Sequence, residues 1–526
     1  MAGDVLTAGT PAPPAVPGDL ATRVRRFGFW AGPALALALY LWLPAAAEPG
    51  PGALTPAGKA TLAMMAWMAT WWMTEAVPIE GTSLLPVVAF PLAGVMPLGT
   101  TTAAYGSDVV FLFLGGFVLA AAIQKHGLDR RIAFATLRVV GARPGAIVAG
   151  VMGATAFISM WVSNTATAAM MVPIALSVIS VSLERRTGRT LAQHGGIPQD
   201  DTDTRNFALA TLLGVAYAAS IGGLGTIVGS PPNGILVRYL ETRGVTVGFL
   251  DWMAIGVPAA LAFLPVAWFI NAKLLFPTRI REIEGGREYV AGEWHRLGRP
   301  GRGEMVTLAV FAVTVALWVF RPLLAGLEIA GLKPFAKLSD AGVAMAAALS
   351  LFMIPVDRAR GEMAMDWESA VRLPWGVLIL FGGGLALAGA AETNGVAQYI
   401  GHLASGLSAW PAWAALLAMI ALMVFMSEVT SNTAQVATMV PILAALAPVL
   451  GLPPAMLLVP ATIGASCAFM MPVGTPPNAI VFGTGLVRMP QMLRAGLWLN
   501  VAGILIIFAL SWWGLPHVLA LLRPMP

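Results

Sequence analysis

Two polar phrases recur inside otherwise apolar stretches of this chain, Ser163-Asn164-Thr165 and Ser431-Asn432-Thr433. Each sets a hydroxyl, an amide and a second hydroxyl in a row, several donors within one short turn. If the chain turns there, one half-helix ends and another begins at the phrase. The beginning half-helix directs unpaired N–H groups and its positive dipole end into the gap, which suits a carboxylate or another anion. The ending half-helix exposes carbonyl oxygens, which suit a small cation such as Na⁺. A second pair of phrases follows, Gly229-Ser230-Pro231-Pro232-Asn233 and Gly474-Thr475-Pro476-Pro477-Asn478. Pro-Pro removes two amide donors and stops regular helix, and the preceding Gly allows close backbone approach. Within a bilayer such a break is tolerated only in protein interior or beside a water-lined cavity. Plainer readings exist: Ser, Asn and Thr as hydrogen-bonding glue between helices, and Pro-Pro as a kink. Duplication at matched positions weighs against both.

The elements that must hold these phrases come in two copies. The Ser-Asn-Thr phrases lie 268 positions apart, and each runs on into Met-Val-Pro-Ile, at 171–174 and 439–442. Upstream, Phe113-Leu114-Gly115-Gly116 matches Leu380-Phe381-Gly382-Gly383 at an offset of 267; the Pro-Pro-Asn phrases match at 245. An extra polar loop near 184–206 in the first copy accounts for the shorter last offset. Apolar runs place spans near 27–46, then 59–74, 80–96, 107–126, 206–240 and 250–272 in the first copy. The second copy has spans near 306–327, 340–356, 374–392, 454–483 and 492–515. Between the third and fourth spans of each copy lies an apolar element broken by Ser-Asn-Thr, at 144–183 and 411–450. Hydropathy admits either a re-entrant hairpin or two further crossings. Five and seven crossings are both odd, so the copies are inverted in either case. Inverted repeats with broken helices point to a secondary transporter's binding site.

Composition agrees with a membrane protein. Of 526 residues, 58% are hydrophobic and 11% charged, against about 25% charged in soluble proteins. Many runs approach the ~20 residues a helix needs to span a bilayer, and repeated runs of that kind mean a helical bundle, not a barrel of short alternating strands. The expected fold is thus an all-α polytopic membrane protein of about 11 transmembrane helices in two inverted repeats. Its divisions are a disordered tail over 1–26, helix 1 over 27–50, a first repeat over 55–275, a linker over 276–305 and a second repeat over 306–515. Scaffold helices fill 55–143 and 306–408; hairpins and broken helices fill 144–275 and 409–515. Ala45-Ala46-Ala47 imitates a signal-peptide cleavage site, but a long tail and many spans favour an anchoring first helix.

Charge gives topology. The net charge of +5 is no nucleic-acid footprint, because Lys and Arg sit in short loops. With the amino terminus cytoplasmic and the two elements as hairpins, 24 of the 31 basic residues fall on the inside. Lys59, Arg238, Arg243, Arg321, Lys333, Lys337 and Arg523 are left outside. No Lys or Arg occurs from 373 to 487, so anion binding there must rest on helix ends, hydroxyls and bound cations. Glu428, three residues before the second Ser-Asn-Thr, matches Met160; an intramembrane acid either relays a proton or holds the hairpin by hydrogen bonds. The lone Cys467 forms no internal disulfide. The 26 Met and 17 Trp residues are read as packing and interfacial anchors, with no organic cofactor implied.

At these motifs the sequence resembles the divalent anion:sodium symporter family, which includes bacterial sodium/dicarboxylate carriers. The resemblance covers roughly 55–515 and is carried by Ser163 to Ala169, by Ser431-Asn432-Thr433 and by Met471 through Phe482. It implies re-entrant hairpins, a homodimer in the bacterial inner membrane, Na⁺ as coupling ion and an elevator movement carrying C4-dicarboxylates. By motif, substrate touches Ser163, Asn164, Thr165 and Ser230 from one copy and Ser431, Asn432, Thr433, Thr475 and Pro476 from the other. One sodium site uses Ser159, Ser163, Asn164 and Gly229; its inverted twin uses Ser427, Thr430, Asn432 and Gly474. Gln435 stands where the first copy has Thr167, and Ser230 replaces the commoner Thr, changes that bear on which acid fits. Rival readings are a sodium-independent exchanger or proton-coupled carrier of citrate, sulfate or another divalent anion, and an anion channel. An enzyme is disfavoured: there is no His-Glu-x-x-His motif, and the five histidines do not cluster.

Overall fold

The computed structural model describes residues 18–46, 53–194, 196–198, 200–329 and 332–521. The expected tail over 1–17, Ala47 and Arg523 lie outside them. Among the described residues the only named strands are Pro355–Asp357 and Glu362–Met363, one small antiparallel pair. Seven helices among the described residues are long and apolar enough to cross a membrane by length and composition. The first helix runs Gly18–Trp42 instead of 27–46, so the disorder expected through residue 26 does not hold over 18–26. Arg is a good helix former, and Arg23, Arg25 and Arg26 carry the helix past its apolar run; Arg25 meets Glu75 at 2.9 Å. The linker over 276–305 likewise contains a helix, Gly286–Leu297.

Both Ser-Asn-Thr elements are hairpins. The first has arms Pro144–Ser159 and Asn164–Thr187. Where it begins, Trp268 Nε1 donates to Gly145 O at 2.8 Å. Where it ends, Arg186 reaches Asp201 at 3.3 Å. Asn206 in turn donates to Pro277 O, and Arg279 N to Asp203. Entry and exit therefore share one face with the start of helix Thr202–Gly222 and the end of the run from Phe249 to Leu275. The tip lies at the other end of that buried helix, where Ser159 Oγ donates to Ala219 O at 2.7 Å. The arms go in and come back. In the second hairpin, Ala412–Met426 and Asn432–Val449 are the arms, and its tip is likewise bonded to a broken helix, Pro454–Ala465 followed by Pro476–Gly483.

Inverted symmetry is visible in the packing. Half-helix Pro231–Thr242 lies on Asn432–Val449 and Pro454–Ala465; its twin Pro476–Gly483 lies on Asn164–Thr187 and Thr202–Gly222. Helix Asp108–Lys125 packs on Asp340–Met353, while Trp375–Thr393 packs on Ile79–Ser83. Between the two long helices the rings of Phe113 and Phe381 meet at 4.6 Å. Gly115 lies against the Ala344 backbone and Gly383 against that of Ser83. Residues playing equal parts are therefore 268 apart, in step with Ser-Asn-Thr, and the offset of 267 for the Gly-Gly phrases is corrected by one. The last helix of each copy also widens into a π-helical turn, at Ile270–Leu275 and Leu510–Gly514.

Ion pairs sort into two faces. Arg25–Glu75, Lys125–Asp366, Arg130–Glu293, Arg131–Glu304 and Arg186–Asp201 join only segments the charge bias assigns to one side. Arg238 with Asp108 and Glu241, Arg243–Glu392 and Arg321–Asp340 join only segments assigned to the other. Between the faces, residues 207–230 are buried without interruption. Helix Arg302–Gly326 buries only Thr307, Thr314 and Trp318, leaving an apolar surface of the kind lipid covers.

At Gly115 an added Cβ would fall 2.5 Å from the Ala344 carbonyl carbon, and at Gly383 2.4 Å from Ser83 O. Overpacking costs about 1–3 kcal/mol, more than the ~1 kcal/mol a helical Gly→Ala recovers. Gly115→Ala and Gly383→Ala should each lower the thermal midpoint of the purified protein. Gly153→Ala, which meets nothing within 4 Å, should not. Unchanged midpoints for the first two would separate these helices.

Candidate functional site

The first site grows from two local stops. Ser163 ends the tip in extended backbone, and its Oγ accepts from Ala166 N at 3.4 Å, capping the half-helix that begins at Asn164. The broken helix stops at Gly222 and restarts with Pro231 at its first position, where a missing N–H does no harm. Asn233 Nδ2 bridges back to Gly223 O at 3.0 Å and Thr226 O at 2.8 Å, satisfying carbonyls the break releases. Trp252 Nε1 takes Leu224 O at 3.0 Å. The Thr226 hydroxyl donates to Met160 O and accepts from Gly229 N, tying break to tip.

An oxygen cluster results. Asn164 Oδ1 lies 2.7 Å from Ser159 Oγ, whose hydroxyl also contacts Ala219 O. Turning the Asn164 amide round would place Nδ2 3.0 Å from Ala219 O, 2.7 Å from Ser159 Oγ and 3.3 Å from Gly229 O. Two chemistries satisfy this geometry. Either the amide donates to the three oxygens, or Oδ1 joins them and a hard cation lies among four oxygens. Carbonyl, carboxamide and hydroxyl oxygens are the donors such an ion prefers.

The second site repeats the plan with its tether reversed. Ser431 caps the half-helix from Asn432, and Asn478 Nδ2 donates to Ala468 O and Met471 O, both at 3.0 Å. Met471 replaces Thr226 and has no hydroxyl, while Glu428 replaces Met160. Glu428 therefore reaches from tip to break. Its carboxylate accepts from Phe469 N at 2.8 Å, Met470 N at 3.0 Å, Met471 N at 2.9 Å and Asn500 Nδ2 at 2.7 Å. Four donors on one acceptor-only group make Glu428 a fastener. Of the two roles open to it in the sequence, the geometry is that of holding the hairpin.

The named residues fall as follows. Ser159, Asn164 and Gly229 come together, and Ser163 turns its hydroxyl to Ala166 N. Ser230 is buried in extended backbone at the break, and Thr165 is exposed. In the second copy Asn432 Oδ1 and Thr475 Oγ1 are buried without partners, Thr433 is half-buried and Pro476 exposed. Gly474 lies against Glu428 O, as Gly229 lies against Met160 O. Ser427 instead turns its hydroxyl back to Val424 O, and Thr430 donates to Met426 O. Gln435, expected to bear on which acid fits, turns its buried amide inward and donates to Met423 O at 2.8 Å within the hairpin. Sequence reasoning missed the clasps Asn233 and Asn478, although both end a phrase it had singled out. It also missed Asn500 and the Ala219 carbonyl, which no motif marks, and gave Thr226 no role although the residue ends the run that leads into the first Pro-Pro-Asn phrase. Among the described residues no group of His, Cys, Asp and Glu could hold a metal, and no Lys or Arg lies within 144–184, 206–237 or 373–487.

Comparison with known proteins adds the following. Residues 32–520 match a family model described as the sodium:sulfate symporter transmembrane region. The sodium-dependent dicarboxylate transporter SdcS of Staphylococcus saprophyticus is 38% identical over 483 residues, 90% of each chain. Its namesake from Staphylococcus aureus strain USA300 is 37% identical over 467 residues, 88% of this chain and 87% of that one. Among solved structures, MtrF of Neisseria gonorrhoeae, described with a class of antimetabolite efflux pumps, superposes with a TM-score of 0.56. It covers 96% of both chains at 13% identity, a likeness of fold alone.

Removing either tether should loosen its own tip. Thr226→Val leaves Met160 O and Gly229 N without their partner, and Glu428→Gln turns an NH₂ toward backbone amides. Each buried polar group left unpaired costs about 1–3 kcal/mol. Both variants should lower the thermal midpoint in detergent, Glu428→Gln further because more donors lose their acceptor. A wild-type midpoint for Glu428→Gln would end its role as fastener.

Proposed function

The chain belongs to the sodium:sulfate symporter family, and from that membership we propose that it is a sodium-coupled symporter of C4-dicarboxylates such as succinate, fumarate and malate. Relatives named as sodium-dependent dicarboxylate transporters over nine-tenths of the chain support the substrate class. The observation that carries the coupling is the double use of Asn164. Its side-chain amide faces Ser159 Oγ, Ala219 O and Gly229 O. There Oδ1 would complete a four-oxygen cation site, and Nδ2 would close it in the cation's absence. Its backbone opens the half-helix whose amides suit a carboxylate. A cation that fixes the carboxamide fixes the tip, and with it the amides that meet the anion. By linkage each ligand raises affinity for the other by the same factor.

Charge favours the same reading. A dianion within the bilayer's depth is costly to hold, and these helices offer it no basic side chain. Helix N-termini and co-transported cations remain to balance it. Asn432 and Thr475, with buried unpartnered oxygens, are assigned to the second tip's share of the site.

The remaining proposals rest on this one. Each hairpin is tied to its own broken helix, which favours movement of hairpins and breaks as one body in an elevator step. Small apolar contacts to the flanking helices, as at Gly116 with Val228 and Gly384 with Ala437, suit sliding. The ion pairs Arg238–Asp108 and Arg243–Glu392 that join the same elements on one face would have to part in such a step. The basic bias places the amino terminus in the cytoplasm of a bacterial cell, with the protein in its inner membrane. The family resemblance supports a homodimer.

Radiolabelled succinate uptake into proteoliposomes tests the function. Uptake should require an inward Na⁺ gradient, vanish with choline and be competed by fumarate or malate. Uptake without Na⁺ that internal dicarboxylate stimulates would make the protein an exchanger. Asn164→Ala and Asn432→Ala should each abolish uptake in protein that purifies folded. Wild-type uptake by either would remove that residue from the site.

A further inference from the structure

At the mouth of the first hairpin a cavity of about 390 Å³ opens between the start of Pro144–Ser159 and the end of the π-helical turn Ile270–Leu275. Arg143, Lys273 and Arg281 line it, and no acidic residue does. Several other arginines on this face are matched to acids, among them Arg130 to Glu293, Arg131 to Glu304 and Arg186 to Asp201. These three cations make no ion pair or side-chain hydrogen bond among the described residues; Lys273 only rests over the Trp268 ring, 5.8 Å from its centroid. Positive charges gathered around a hollow repel one another until an anion enters. The hairpin helix begins there too, with no side-chain cap from Arg143. Its first-turn amides therefore add donors of the same preference.

The surroundings narrow the anion. Arg forks and a Lys point charge are phosphate ligands. The helix that carries Trp268 and Lys273 shows exposed Leu261, Phe269 and Leu274, an apolar stripe that ends at the cavity. Trp268 has the amphipathic character of an interfacial anchor. A ligand with a phosphate at one end and acyl chains at the other fits both parts. We propose that this cavity binds the phosphate group of an anionic phospholipid and so clamps the hairpin's mouth to the end of the first repeat. The site lies a 16-residue helix away from the tip, about 24 Å, and is separate from the transport site. Free phosphate offers the same head-group chemistry without the chains.

Native mass spectrometry of the full chain, mixed with phosphatidylglycerol in detergent, separates the sources. Wild type should retain phosphatidylglycerol over phosphatidylcholine. Arg143→Gln/Lys273→Gln/Arg281→Gln should retain about tenfold less, whereas Arg358→Gln/Arg360→Gln, on the same face, should match wild type. Lys273→Gln alone, at an exposed side chain, gives a weaker loss and stands in if the triple variant fails to fold. Equal retention by wild type and the Lys273 or triple variant overturns the proposal. Displacement of the lipid by millimolar inorganic phosphate overturns the lipid assignment and leaves a phosphate site.

Discussion

A helix that stops inside hydrocarbon releases up to four carbonyls, and one that starts there releases up to four amides. Lipid can satisfy none of them. This protein makes four such stops, at two hairpin tips and two breaks. Buried polar side chains meet the released groups: Asn233 and Asn478 clasp carbonyls, Trp252 takes Leu224 O, and Glu428 gathers three consecutive amides. What these fasteners leave open is the site. Backbone groups that face neither lipid nor a fastener are the ones able to receive an anion and a cation.

The two halves solve the problem alike in geometry and differently in chemistry. In the first, a hydroxyl on the break reaches the tip; in the second, a carboxylate on the tip reaches the break. The difference spreads outward. Glu428 draws in Asn500 from the last helix, where the first copy uses Trp252 to meet its break. Gln435 closes the second hairpin from within through Met423 O, while matching Thr167 has no partner. The first tip keeps its four oxygens together, whereas the second turns Ser427 and Thr430 toward their own helix. Two tips related by symmetry therefore differ in how their hydroxyls are turned.

Much of this was legible before any coordinates. Apolar runs located the spans because burial in lipid tolerates few charges, and the inverted repeat followed from three phrases in matched order. Ser159, Asn164 and Gly229 could be named together because motif spacing sets where half-helices end. Other features were not legible. The start of the first helix at Gly18 depends on Arg residues that hydropathy discounts. The Gly-Gly register slipped by one because Phe and Leu exchange places around it, and only the backbone contacts of Gly115 and Gly383 fix it. The part played by Glu428 needed Met470, Met471 and Asn500, which lie 42, 43 and 72 residues away along the chain. The inward turn of Gln435 toward Met423 O was likewise not legible, because a matched position says nothing about which way a side chain turns.

The reversed tether constrains how such a molecule can be inherited. A hairpin carrying Met160 brings no carboxylate to gather the break's amides, and a break carrying Met471 offers no hydroxyl. Were a recombination event to splice the first hairpin to the second break, neither partner would hold the other. The opposite splice would bring Thr226 and Glu428 to one junction and crowd it with two fasteners. Hairpin and break are therefore matched as a pair within each half, and the two pairs are not interchangeable parts.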